Sequence, residues 1–176
     1  ESHRDYASIV GVPKYLPHGI GFLFEKELEH LDKILKNQQR PLVILVGGKK
    51  VEDKAKYAQK ISGLADWVLV GGLVKKELKK NNLESDKIIG PVGILDAPDI
   101  DDRTVKLFKE KILGAKIVFW NGPFGKFEDE KYKKGTLEIA KAIIESGAFS
   151  VVGGGDTVEF LNKEGMIEKF SYVSTA

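Results

Sequence analysis

The strongest constraint on what this chain can fold into is a repeated unit: a short, nearly continuous apolar run that stops at glycine. Leu42–Val46 (LVILV) runs into Gly47-Gly48, and Trp67–Val70 (WVLV) into Gly71-Gly72. Lys116–Trp120 (KIVFW) runs into Asn121-Gly122-Pro123, and Phe149–Val152 (FSVV) into Gly153-Gly154-Gly155. Runs that do not alternate apolar and polar are what strands buried on both faces require, as in a parallel sheet covered by helices. Lys87–Ile89 and Phe170–Val173 are weaker runs of the same kind.

Helical patterns fill the intervals. Phe24, Leu28, Leu31 and Leu35 fall on one helical stripe and predict a charged helix over 22–37. Further helices are expected over Glu52–Ser62, Leu73–Lys80, Asp102–Ile112 with Asp102 as N-cap, and Thr157–Lys163. Tyr132, Thr136, Ile139, Ala140 and Ile143 form the inner face of another, which Gly147 can end. Strand and helix in alternation predict an α/β fold: a three-layer α/β/α, Rossmann-like parallel sheet of about five to six strands with right-handed crossovers.

Composition excludes several chemistries. The chain has 176 residues and no cysteine, so disulfide frameworks, thiolate metal sites and thiol nucleophiles are absent. A net charge of +2 gives no support to a nucleic-acid binder, so no nucleic-acid partner is expected. No apolar run approaches the ~18 residues of a membrane span, and ESHRDYAS is not a signal peptide, so a cytoplasmic protein without membrane contact is expected. His3, His18 and His30 have no metal-ligand spacing. The G-x-x-x-x-G-K-[ST] loop, the G-x-G-x-x-G fingerprint and the G-x-S-x-G elbow are all missing, which argues against acyl and hydride transfer.

Glycine is the enriched residue, at 19 positions, and its placement carries the argument. Gly47, Gly48, Gly71, Gly72, Gly122, Gly125, Gly153, Gly154 and Gly155 all follow the strong runs. In a parallel sheet those strand ends share one edge, the edge where ligands bind in open α/β sheets. Glycine there serves either a tight turn alone or the close approach of backbone to phosphate. Within GGKKVEDK, Lys50 and Lys54 are four apart and share a helix face. They are either a pair for an anionic phosphoryl group or part of a solvated basic face. Asp156 in GGGDT is either a helix cap or a carboxylate for a magnesium ion that bridges nucleotide phosphates, with the Thr157 hydroxyl beside it. Asn121 sits on a rigid turn, and Glu128 follows within the same loop, where a carboxylate can accept from ribose hydroxyls.

Five stretches together resemble the phosphoglycerate kinase family, in its order and over nearly the whole chain. PLVILVGGKKVEDK is similar to that family's GG-x-K-V-x-D-K stretch, FWNGPFGKFE to its WNGP-x-G-x-FE turn, and VVGGGDT to its GGGDT or GGGDS turn. FSYVST resembles the start of H/F-x-x-VSTGGGA. SHRDYASIVGVPKYLPHGIGFLFEKEL resembles AHR-x-H-x-S-x-VG followed by a long interdomain helix.

The resemblance implies a glycolytic kinase, a transferase that moves a phosphoryl group reversibly between 1,3-bisphosphoglycerate and ADP, with Mg2+ bound to ADP or ATP. It implies residues 1–21 as a remnant of the N-terminal substrate domain and linker, 22–37 as the interdomain helix, and 38–176 as the nucleotide-binding domain. Lys54 corresponds to the lysine that meets the transferring phosphoryl group, and Lys50 to one that holds nucleotide phosphate. Gly47, Gly48, Gly71 and Gly72 correspond to the turns around the nucleoside. Asn121, Gly122 and Pro123 correspond to nucleotide-contacting positions, with Phe124 near the base. Glu128 corresponds to the ribose carboxylate. Gly154 and Gly155 correspond to the nucleotide-binding turn, Asp156 to the magnesium-nucleotide carboxylate and Thr157 to a phosphate ligand. Arg4 corresponds to an arginine of the acid-substrate patch.

The chain also departs from the family. Tyr6 stands at a histidine position, Lys49 where alanine is usual, Leu73 at a third glycine, and Val74 where methionine is common. The stretch from Gly72 to Trp120 is about half the family's usual length, and a reshaped base pocket is expected there. The rest of the substrate domain and the final glycine-rich loop are missing from the sequence. The expectation is therefore a monomeric nucleotide domain, incomplete at its C-terminus and nearly inactive alone. The alternative is a nucleotide-binding module without catalysis.

Overall fold

The apolar runs become strands, and their glycines lie where the chain leaves the sheet. The computed structural model describes residues 5–36 and 39–174. The chain divides into two compact units, one holding the first long helix with the residues before it and Ser174, the other Gln39–Val173. In the first unit, short helical turns at Ala7–Gly11 and Val12–Lys14 precede α1, Phe22–Lys36.

The second unit runs β1 (Leu42–Val46), α2 (Val51–Ile61), β2 (Trp67–Val70), α3 (Gly72–Lys80) and β3 (Ile88–Ile89). It continues with α4 (Asp102–Leu113), β4 (Ile117–Asn121), α5 (Lys134–Ser146), β5 (Phe149–Gly153), α6 (Gly155–Lys163) and β6 (Tyr172–Val173). The six strands form one sheet in the order β3-β2-β1-β4-β5-β6, and every pairing is parallel. Right-handed crossovers in that order set α2 and α3 on one face and α4, α5 and α6 on the other.

Side-chain alternation along each strand feeds both layers. Val43, Leu45, Leu69, Val118, Trp120 and Val152 join Phe108, Ile112, Ile139, Ile143 and Phe160 in one core. Leu42, Ile44 and Val46 point to the other face and are equally buried, as are Ala55, Ala58, Val74 and Leu78 of α2 and α3. A strand buried on both faces has no polar alternation to show, which is why β1 reads as five apolar residues in a row.

Several element ends differ from the sequence expectation. The N-cap of α4 is Asp101, not Asp102: its Oδ1 accepts from the Thr104 N–H at 2.9 Å and the Thr104 hydroxyl at 2.6 Å. Asp156 is not a cap, because α6 begins two residues earlier than expected and Gly154 takes the cap position, leaving Asp156 in the first turn. Tyr132 closes a separate 3-10 turn, Glu130–Tyr132, before α5 starts. The Lys116 and Phe170 ends of their runs lie outside β4 and β6, and Asn121 and Gly153 extend β4 and β5. Gly147 ends α5 in the left-handed conformation, as expected.

Candidate functional site

The strand order reverses between β1 and β4. Connections leave these two neighbours in opposite directions, and a crevice opens beyond their C-terminal ends. Register pairs Val46 with Asn121, so Gly47 and Gly122 meet directly beyond the sheet. The Gly47 N–H donates to the Asn121 carbonyl at 3.0 Å. A Cβ on Gly47 would strike the Gly122 and Pro123 carbonyls, and Gly122 holds φ +94°. Both positions need glycine, one for close approach and one for its backbone angle.

The Gly122 peptide is held from two sides. Trp120, fully buried, donates its indole N–H to the Gly122 carbonyl at 2.9 Å. The Gly122 N–H donates to Thr157 Oγ1 at 2.8 Å, and Thr157 is buried at the start of α6. Thr136 on α5 accepts from the Phe124 and Gly125 N–H groups, both at 3.1 Å. Four hydrogen bonds from three side chains thus fix the turn after β4 to two helices and to its own strand.

A cavity of about 220 Å³ lies over this turn. Its lining combines Gly48, Gly71 and Gly72 with apolar side chains such as Leu73, Val74, Leu95 and Phe124 and with charged ones, Lys49, Asp96, Lys126, Glu128 and Asp156. An apolar slot with a few convergent polar groups suits a small ligand with an aromatic part and a charged part.

Lys54 reaches into the strand-end turns from α2. It donates to the Gly47 carbonyl and, at 3.1 Å, to Asn121 Oδ1. Burial pushes its pKa below the ordinary lysine value, Asp156 pulls it back up, and Lys50 adds to the lowering. A half-buried ammonium beside a second one is poised to accept an anion. Lys50 itself is the exposed N-cap of α2. At the start of α6, the first N–H groups have no intrahelical partner, which favours an anion beside Gly155 and Asp156.

Across the mouth, Lys49 donates to Glu128 Oε1 at 2.7 Å. This contact, followed by the Glu128 backbone N–H, holds the Glu128 carboxyl below its usual pKa and raises that of Lys49. The sequence reading treats Lys49 only as a departure and misses the pair. Opposite charges on two turns of one sheet edge are the signal that was available.

The short stretch between Gly72 and Trp120 closes the cavity with a loop. Leu95–Pro98 lines it and lies so close to Gly72 that a Cβ there would meet the Leu95 carbonyl. The loop is pinned at several points. The Lys126 N–H donates to the Pro98 carbonyl at 2.8 Å, and Asp99 accepts from the Gly135 and Ile100 N–H groups at 2.8 and 2.9 Å. Burial raises the Asp99 pKa against those backbone contacts. Thr104 completes the hold by accepting from the Val92 N–H at 3.0 Å. Sequence reasoning assigns none of these loop residues to the site, because no short-range pattern marks them.

Of the residues expected at the site, Gly48, Gly71, Gly72, Pro123, Phe124, Glu128 and Asp156 line the cavity. Gly47, Asn121, Gly122 and Thr157 build the turns around it, the Thr157 hydroxyl being occupied by the Gly122 N–H. Gly154 and Gly155 open α6. Arg4 lies outside the described residues. Among the described residues no group of three or more His, Asp or Glu side chains is placed to hold a metal. A lone carboxylate such as Asp156 fits a magnesium ion that arrives with phosphate oxygens and keeps its waters. No described helix is long and apolar enough to cross a membrane.

Comparison with known proteins adds the family. The model of the family "Phosphoglycerate kinase" matches residues 1–90 and 79–176, two pieces that meet inside the short stretch. Phosphoglycerate kinase from Rubrobacter xylanophilus is 36% identical over 219 aligned positions, covering 99% of this chain and 56% of that protein. The enzyme of the same name from Finegoldia magna is 34% identical, again with 99% of this chain and 56% of the relative covered. The crystal structure of phosphoglycerate kinase from Pyrococcus horikoshii superposes with a TM-score of 0.80 at 30% identity, over 99% of this chain and 56% of that one. The Coxiella burnetii phosphoglycerate kinase structure gives a TM-score of 0.76 at 28% identity, over 88% and 52%. The chain belongs to the phosphoglycerate kinase family, and it spans about half the length of the curated relatives it matches.

Proposed function

We propose that this member of the phosphoglycerate kinase family carries the ADP/ATP site for phosphoryl transfer between 1,3-bisphosphoglycerate and ADP, giving 3-phosphoglycerate and ATP. The observation that carries the reading is the cavity at the β1/β4 switch point, lined by the apolar Phe124 and Val74 together with the charged Asp156 and Glu128. The adenine is assigned to the apolar side chains, the ribose to Glu128, and the phosphates to the start of α6 with Lys50 and Lys54.

Phosphoryl transfer needs little covalent chemistry from the protein. Positioning and charge stabilisation supply most of it. Lys54 would exchange its contacts with Gly47 and Asn121 for the equatorial oxygens of the migrating group. Because that ammonium is held in low dielectric, its attraction for developing charge is stronger than in water. Lys50 would neutralise the nucleotide phosphates, and Asp156 would hold the magnesium of the metal-nucleotide, which supplies charge neutralisation between phosphates when bound. Thr157 acts through the turn, keeping Gly122 in place. Residues 1–21 are assigned to a remnant of the N-terminal substrate domain and linker, with Arg4 on the acid substrate, and residues 22–37 to the interdomain helix. The enzyme is assigned to the cytoplasm, with the acid substrate held by a separate domain.

A second reading, a nucleotide-binding module without chemistry, draws on one observation: two of the three N–H donors of Lys54 are already engaged by Gly47 and Asn121. Calorimetry with MgADP, followed by a coupled assay after adding the N-terminal substrate domain of a relative, separates the two. Binding together with recovered turnover, lost in Lys54→Ala while MgADP still binds, supports the kinase. Binding with no turnover supports the module, and no binding overturns both.

A further inference from the structure

We infer that Lys49 is a positioning residue for the sugar of the bound nucleotide: its ammonium holds the Glu128 carboxylate across the cavity mouth in the pose that receives the ribose hydroxyls. The inference rests on the proposed assignment of Glu128 to the ribose.

The two residues come from different turns, Lys49 beyond β1 and Glu128 beyond β4, 79 positions apart, and both line the cavity. Lys49 Nζ meets Glu128 Oε1 at 2.7 Å while the two side chains remain 71% and 49% exposed. A pair this exposed adds little to the stability of the fold. What it does is fix a rotamer. A glutamate left free must lose its side-chain freedom when the ligand arrives, and a glutamate held beforehand has already lost it.

The choice of cation matters. A carboxylate has two oxygens and accepts only. Arginine engages both oxygens through its fork, whereas lysine is a point donor that engages one. Lys49 is bonded at Oε1, which leaves Oε2 to accept from a hydroxyl of the ligand. The phosphate end already has Lys54, Lys50 and the start of α6, so an anion has no need to draw Lys49 away from Glu128. Asp156 also favours the charged form of Lys49, which keeps the ammonium on this rim.

The test is a ligand-by-variant cycle in calorimetry, with MgADP and the magnesium complex of dideoxyadenosine diphosphate, on the unaltered chain and on Lys49→Met. The unaltered chain is expected to prefer ADP by roughly tenfold, the effect of a hydrogen bond to a charged group. In Lys49→Met that preference is expected to fall to about threefold or less, with binding of the dideoxy ligand unchanged within about twofold. Equal weakening for both ligands overturns the inference and places Lys49 on phosphate. Tighter ADP binding overturns it by making the pair an obstacle, and an unchanged preference leaves Lys49 without a role. If the unaltered chain shows no preference, the ribose assignment of Glu128 itself fails, and the inference with it.

Discussion

Half-buried among the strand-end turns, Lys54 uses its N–H groups on the Gly47 carbonyl and Asn121 Oδ1. Burial, the largest influence on it, lowers its pKa below 10.5. An arriving polyphosphate would raise it again, because an opposite charge favours the ammonium. Over the range in which the free amine has lost its proton and the bound one keeps it, MgADP binding is therefore expected to take up protons. Binding enthalpy in buffers of different ionisation heat measures this. Uptake that persists unchanged in Lys54→Met would move its source elsewhere. Spacing in the sequence was enough to single out Lys54, Lys50, Asp156 and Glu128, since each follows a glycine turn at short range. It was not enough to pair Lys49 with Glu128, because a contact spanning 79 positions is made only by the sheet.

At the scale of elements, the site depends on how two strands end. Val46 and Asn121 are in register, and Gly47 and Gly122 pass within a distance no Cβ allows. In Gly122→Ala, an L-residue held at φ +94° would cost about 1–3 kcal/mol from the backbone alone. The clash with the Gly47 carbonyl adds to that. Denaturant unfolding should show the loss, and calorimetry a further loss of MgADP binding. A variant of unchanged stability would mean that the turn is not held as described. Strand positions were legible because apolar runs in β1, β2, β4 and β5 are cut by glycine. Element ends were less so: Asp101 and Asp102 are chemically equivalent caps in sequence, and only where the first turn of α4 starts, which puts the Thr104 N–H over Asp101, distinguishes them. Gly154 likewise displaces Asp156 from the cap position by starting α6 two residues earlier.

For the molecule as a whole, the cavity gathers turns after β1, β2 and β4, the loop 95–98 and the start of α6. No unfolded segment carries more than a fraction of it, so a nucleotide should bind the folded state alone. At 100 times the dissociation constant, that linkage contributes about 2.7 kcal/mol. For a chain of this size the melting midpoint should rise by roughly 5–10 °C with MgADP, as differential scanning calorimetry can read. No shift at saturating ligand would contradict the nucleotide assignment. Local physics in the sequence determined the elements themselves: helices from apolar spacing, buried strands from unbroken apolar runs, turns from glycine. It also determined that charged groups collect at one edge, because parallel strands all end there. The tertiary structure alone decided the strand order, which sets the crevice between β1 and β4. The family resemblance pointed to the stretch between Gly72 and Trp120 for the base pocket, but the tertiary structure alone decided that Leu95–Pro98 lines it, and the grip of Lys49 on Glu128. Those contacts join residues far apart in the chain, and their partners are chosen by crossover geometry and close packing rather than by any pattern a short segment can hold.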